Sequence, residues 1–150
     1  MVLTLELPDL AATRALAAKL AGMLRPGDAI LLEGPLGAGK SELARALLRA
    51  ASGDPGLEVP SPTFTLVQSY SLPCGPAYHF DLYRLSGPEE LGELGWDEAR
   101  EGVVLVEWPE RLGALAPREA LVIRLAPGEG AEARIATLSG WDERLGALGP

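Results

Sequence analysis

Asparagine is missing from this 150-residue chain and glutamine occurs once, as Gln68; cysteine and histidine are also single, as Cys74 and His79. Each shortage excludes something. An Asn-Lys-x-Asp element, which would read guanine, cannot be written without asparagine. One cysteine rules out an intrachain disulfide and a cysteine-rich metal site, and nothing points to an oxidising compartment. His79 and Cys74 have no metal partners at ligand spacing and are read as structural. Basic residues are scarce too: 13 Lys and Arg face 21 Asp and Glu, for a net charge of −8. Non-specific affinity for a phosphate backbone comes mainly from clustered Lys and Arg, so any contact with RNA is expected to be indirect, through a partner. No apolar run approaches membrane-spanning length, and the first nine residues, with Glu6 and Asp9, lack the basic start of a secretory signal. A cytoplasmic protein without a membrane role is expected. The shortage of Asn and Gln, together with 13 prolines, leans toward heat-resistant proteins.

With 47% hydrophobic residues the chain can bury one core, and residues 1–150 are read as one domain. Val2 to Leu7 alternates as a half-buried strand would, and Asp9 stands at a helix N-cap position before a helix over Leu10 to Leu24. After the turn Arg25-Pro26-Gly27-Asp28, Ala29 to Leu32 is a short apolar strand running into Gly34, and Ser41 to Ala51 is the next helix. Ser52 to Pro62 reads as a surface connection. Phe64 to Tyr70 and Ala77 to Tyr83 read as a hairpin joined through Pro73-Cys74-Gly75-Pro76. Pro88 to Arg100 is helical, interrupted by Gly92 and Gly95. Val103 to Val106 is a continuous apolar run of the kind buried on both faces of a parallel sheet. Leu121 to Leu125 and Ala133 to Leu138 alternate around the turn Pro127 to Gly130. This order predicts an α/β fold of P-loop NTPase type, a three-layer sandwich on a mainly parallel central sheet with an inserted β-hairpin and C-terminal antiparallel strands.

Gly34-Pro35-Leu36-Gly37-Ala38-Gly39-Lys40-Ser41 fits G-x-x-x-x-G-K-[ST] at every fixed position and lies between a strand and a helix, as the motif requires. Gly37 and Gly39 can adopt backbone angles closed to other residues, so that successive N–H groups around Ala38 turn inward as a nest for phosphate oxygens. The following helix aims its positive end at the same anion. Lys40 is expected to reach the β- and γ-phosphates, and the Ser41 hydroxyl to ligand Mg²⁺. Without a guanine-reading element, ATP is favoured over GTP. Such a site needs an acid at the end of a neighbouring apolar strand. Glu107, after Val103 to Val106, fits best, with an ordinary strand-end glutamate as the alternative. Asp81 is the second candidate, able to orient the attacking water or bind the metal's outer shell; a solvated hairpin carboxylate is the alternative. Ser61-Pro62-Thr63 resembles a nucleotide-sensing loop, although a plain proline turn accounts for it equally well. Trp108 either covers the site or is a core tryptophan.

Four blocks in order, Leu36 to Ser41, Ser61-Pro62-Thr63-Phe64-Thr65-Leu66-Val67, His79-Phe80-Asp81-Leu82-Tyr83-Arg84-Leu85 and Val106-Glu107-Trp108-Pro109, resemble the motifs of the TsaE (YjeE) family. The resemblance runs from Leu7-Pro8-Asp9 to Glu132-Ala133-Arg134. It implies an ATPase needed to make threonylcarbamoyl-adenosine in tRNA, acting with TsaD and TsaB. It further implies that Ser41 and Glu107 hold Mg²⁺, that Asp81 supports hydrolysis, that Thr63 belongs to a switch-like loop and that Trp108 sits at the nucleotide or partner surface. Leu10 and Arg134 would flank the adenine. Two positions depart from the family pattern: Pro35 replaces a common acid, and Glu42 stands where a second hydroxyl often follows the metal ligand. A carboxylate at 42 would be repelled by phosphate unless it faces away. Two other functions suit a P-loop: a small-molecule kinase, which normally adds an Arg-bearing lid and an acceptor pocket, and a nucleotide-binding regulator without meaningful turnover.

Overall fold

A computed structural model describes residues 2–148. Seven strands form a single sheet: β1 (Val2–Leu7), β2 (Ala29–Glu33), β3 (Val67–Leu72), β4 (Gly75–Asp81), β5 (Val103–Glu107), β6 (Leu121–Pro127) and β7 (Arg134–Ser139). Their spatial order is β1-β7-β6-β2-β5-β4-β3. The four central strands, β6, β2, β5 and β4, run parallel. Antiparallel pairs close both edges, β3 on β4 at one side and β6–β7–β1 at the other.

The continuous apolar runs of β2 and β5 follow from burial on both faces. Ile30 and Leu32 of β2, with Val103 and Leu105 of β5, pack under helices α1 (Leu10–Ala21) and α2 (Lys40–Ser52). Their neighbours Ala29, Leu31, Val104 and Val106 face the opposite layer, which contains Leu91, Trp96 and Leu112. Side chains one apart in a strand point to opposite faces, so both layers are filled from one run. Asp9 caps α1 by accepting from the Ala12 N–H at 2.8 Å. Helix α2 buries Leu43, Ala44, Leu47 and Leu48 along one stripe and ends at Gly53 with φ 74°.

Several boundaries moved. Helix α1 stops at Ala21 rather than Leu24: the Gly22 N–H still bonds four residues back to Ala18, but those of Met23 and Leu24 reach only three back, to Leu20 and Ala21. The first hairpin strand begins at Val67, because Phe64 to Leu66 form a turn in which the Leu66 N–H bonds to the Pro62 carbonyl and Leu66 has φ 68°. The segment 88–100 is two short helices, α3 (Glu89–Glu93) and α4 (Trp96–Ala99). Gly95, at φ 81°, breaks it, whereas Gly92 stays within α3. Short helical turns at Pro109–Leu115 and at α5 (Asp142–Leu145) carried no periodic signal in the sequence.

Candidate functional site at the carboxyl ends of the parallel strands

Strand β2 runs directly into the glycine loop. Gly34 has φ 143°, and a Cβ there would stand 2.5 Å from the Leu125 carbonyl oxygen of the adjacent strand, so glycine is dictated by both angle and space. Gly39, at φ 98°, delivers the loop into the first turn of α2, whose N-terminus therefore opens onto it. Lys40 opens that helix. Its ammonium donates to the Gly34 carbonyl at 2.7 Å, spanning the loop, and sits 3.4 Å from the centre of the Trp108 ring. Burial lowers the Lys40 pKa below the ordinary range, opposed by the nearby charges of Glu107, Glu110 and Asp81.

The acids arrive from two neighbouring strands. Asp81 closes β4 and Glu107 closes β5, and the parallel register places them side by side. Glu107 is almost wholly enclosed. One of its carboxylate oxygens accepts from the Ser41 hydroxyl at 2.9 Å, and the other lies 2.6 Å from His79 Nε2. Asp81 is also buried and accepts from the Tyr83 N–H at 3.1 Å. Burial raises its pKa; that backbone hydrogen bond, with the charges of His79 and Lys40, pulls the other way, and Glu107 adds to the rise.

Trp108 follows Glu107 with φ 59°, and its ring packs against Tyr83 at 4.9 Å. Left-handed backbone at a non-glycine residue is costly. Of the three such residues among those described, two flank this site: Trp108, and Leu66, whose carbonyl accepts from the Asp81 N–H. Lys40, Ser41, Asp81, Glu107 and Trp108, scattered through the sequence, thus meet around the loop.

Leu10 and Arg134 also converge. Strand β7 begins at Arg134 opposite Leu7 of β1, just before α1, and a small cavity beside Gly39 is lined by Leu10, Thr13, Glu42 and Arg134. A Cβ on Gly39 would come within 2.8 Å of Arg134 Nε, an atom that is buried without a hydrogen-bond partner. Thr63 is different. Its hydroxyl bonds to Ser61 Oγ at 3.0 Å rather than to any residue of the cradle. Glu42 is exposed and borders both the small cavity beside Gly39 and the outer groove shared with Arg14 and Arg45.

Sequence reasoning missed His79. It is 1% exposed, bonded to Glu107, and its Nδ1 has no partner. The available signal was its place two residues before Asp81 on one strand, which turns both side chains to the same face.

A parallel sheet whose central strand enters a glycine loop capped by a helix, with acids at the ends of adjacent strands, defines the P-loop NTPase class of α/β proteins. The family model described as "Threonylcarbamoyl adenosine biosynthesis protein TsaE" matches residues 7–135, and the chain belongs to that family. Proteins named "tRNA threonylcarbamoyladenosine biosynthesis protein TsaE" are among its relatives. The one from Rickettsia felis is 46% identical over 99 residues, covering 65% of this chain and 57% of its own length. The one from Bacillus subtilis is 38% identical over 115 residues, covering 74% and 69% respectively. The chain thus spans little more than half the length of the Rickettsia felis relative. The crystal structure of Bacillus subtilis YdiB superposes with a TM-score of 0.76 at 28% identity, covering 99% of this chain and 92% of that one. Family and fold are both consistent with nucleotide binding. No helix among the described residues is long and apolar enough to cross a membrane.

Proposed function

We infer that this protein binds and hydrolyses ATP with Mg²⁺, and that it does so in support of threonylcarbamoyl-adenosine formation in tRNA, together with TsaD and TsaB in the cytoplasm. The observation that carries the nucleotide chemistry is the 2.9 Å contact between Ser41 and Glu107, residues 66 apart in the sequence. It puts the hydroxyl after the loop lysine and a strand-end carboxylate at one point, beside the phosphate cradle. With Asp81 alongside, the donors are all hard oxygens, the set that suits Mg²⁺.

Each residue then has a task. The backbone N–H groups of Gly37, Ala38 and Gly39, with the first turn of α2, receive phosphate oxygens. Lys40 exchanges the Gly34 carbonyl for the β- and γ-phosphates, and Trp108 screens that ammonium from water. Ser41 and Glu107 hold the Mg²⁺, which supplies charge neutralisation on the transferred phosphoryl group. His79 fixes the Glu107 carboxylate so that one oxygen is committed inward and the other faces Ser41. Asp81 orients the attacking water; its elevated pKa suits a group that must accept a proton. Leu10 and Arg134 flank the adenine, and Thr63 belongs to the loop that senses the γ-phosphate.

The test is phosphate release from ATP, with and without Mg²⁺, for the chain alone and with TsaD and TsaB added. Stimulation by the pair is expected. Transfer of the phosphoryl group to a small-molecule acceptor, or indifference to both partners, would sink the reading.

A further inference from the structure

Arg100, Arg124 and Arg144 each pair with a carboxylate, of Glu119, Glu33 and Asp28. Arg14, Arg45 and Arg49 are among the arginines without such a partner among the described residues, and they are distinguished by lying together. All three line one groove of about 690 Å³ along the outer side of α1 and α2. Arg45 and Arg49 are four residues apart on α2, hence on one face and about 6 Å apart along its axis. Arg14 projects from α1 on the other wall. The remaining wall is largely apolar, from Leu10, Ala46 and Pro55.

Two of the guanidinium groups are held in place. Arg49 Nε donates to the Leu57 carbonyl at 2.8 Å, and Arg45 Nε donates to the Val59 carbonyl at 3.4 Å. Their terminal amino groups make no other hydrogen bond among the described residues and stand ready for a planar anion. The carbonyls they hold lie just before Ser61-Pro62-Thr63, and the same stretch continues to Leu66, which bonds Asp81.

We propose that this groove docks an acidic segment of a partner protein, whose carboxylates engage Arg14, Arg45 and Arg49 while its apolar side chains lie on Leu10, Ala46 and Pro55. The proposal rests on the partner-dependent reading above and gives it a surface. Apolar walls favour a peptide over RNA, because a phosphate backbone offers nothing to cover them. Glu42 at the groove's end and the net charge of −8 repel a continuous polyanion but tolerate a short acidic segment. Docking also has a route to the nucleotide. A carboxylate drawing Arg45 and Arg49 away from Val59 and Leu57 alters the anchorage of the chain that leads into residues 61–66, and so the setting of Asp81.

The experiment titrates TsaD and TsaB against ATP hydrolysis by the wild-type chain and by Arg14→Glu, Arg14→Lys and Arg49→Glu, with direct binding of the pair measured in parallel. Arg14 is exposed and makes no hydrogen bond or ion pair among the described residues, so a purely structural role leaves its variants nearly silent. Expected is unchanged basal hydrolysis in the two Arg14 variants, a roughly tenfold rise in the half-stimulating concentration for Arg14→Glu with near-recovery in Arg14→Lys, and a flatter salt dependence than wild type; Arg49→Glu, which also releases the Leu57 carbonyl, is read by direct binding of the pair, expected to weaken roughly tenfold. If wild type responds to the pair and Arg14→Glu titrates identically, the groove is not the docking site. If the variants bind the pair normally but lose a response to added tRNA, the occupant is RNA and the proposal is overturned. If wild type itself is indifferent to the pair, the partner-dependent function falls, and this inference with it.

Discussion

The two ends of the parallel strands treat buried carboxylates in opposite ways. Before β2, Asp28 is gripped by Arg144 through two hydrogen bonds of 2.7 and 2.9 Å and also accepts from the Arg25 N–H at 2.7 Å. The guanidinium is held in turn by the Met23 carbonyl, and its bond to Asp28 raises its already high pKa. At the carboxyl ends of β4 and β5, Asp81 and Glu107 are also buried but pair with no arginine among the described residues. Glu107 meets a histidine and a hydroxyl, Asp81 accepts from a backbone N–H, and the nearby lysine is engaged elsewhere. One end has matched its charge and clamps the C-terminal helix to the sheet. The other gathers two buried carboxylates around a lysine and a histidine, with two strained residues beside them, an arrangement that costs stability and suits a binding site.

That contrast can be broken from either side. Lys40→Ala is expected to lower nucleotide affinity by on the order of 100-fold or more with little loss of fold, measured by calorimetric titration of ATP. Arg144→Ala should do the reverse. Removing one partner of an enclosed ion pair costs about 3 kcal/mol in denaturant unfolding, while nucleotide affinity of the folded protein stays unchanged. Loss of nucleotide binding in that variant would erase the distinction between the two ends.

Smaller changes sharpen it. His79→Leu should raise the Mg²⁺ concentration needed for tight nucleotide binding by roughly tenfold, and His79→Gln, which can still donate to Glu107, should recover most of it. A loss of stability with unaltered Mg²⁺ dependence would make His79 merely structural. Asp81→Asn is the smallest test and the one with a sign. The folded-state pKa of Asp81 lies above its ordinary 3.8. The cost of charging it is absent below that value and grows as pH rises through the shifted one. Asn can still accept the Tyr83 hydrogen bond, so the variant is expected to be slightly more stable than wild type at pH 7, equal at pH 3, and slower in ATP hydrolysis. For wild type, activity should fall on acidification at a higher pH than an ordinary aspartate would give.

Much of the site was legible because its centre is contiguous. The loop 34–41 requires particular residue types at neighbouring positions, and the apolar run before Glu107 marks a strand end. Asp81 was harder, since only the pairing of β4 with β5 puts it beside Glu107. The contact of His79 with Glu107 was not legible because a lone histidine carries no periodic signal, and Arg14, Arg45 and Arg49 read as ordinary helix-surface charges. The turn at Phe64 to Leu66 was read as strand because it continues an apolar pattern; the bond between the Asp81 N–H and the Leu66 carbonyl decides its shape.

Local chemistry in the chain determined the glycine loop, the helix that follows it, the doubly buried strands and the net acidity of the surface. These are properties of consecutive residues, set by backbone angles, side-chain period and net charge. The juxtapositions belong to the tertiary structure alone: Ser41 on Glu107, Glu107 on His79, Arg134 over Gly39, and three arginines lining one groove. Each depends on strand register and helix packing, which bring together residues whose separation in sequence holds no record of their meeting.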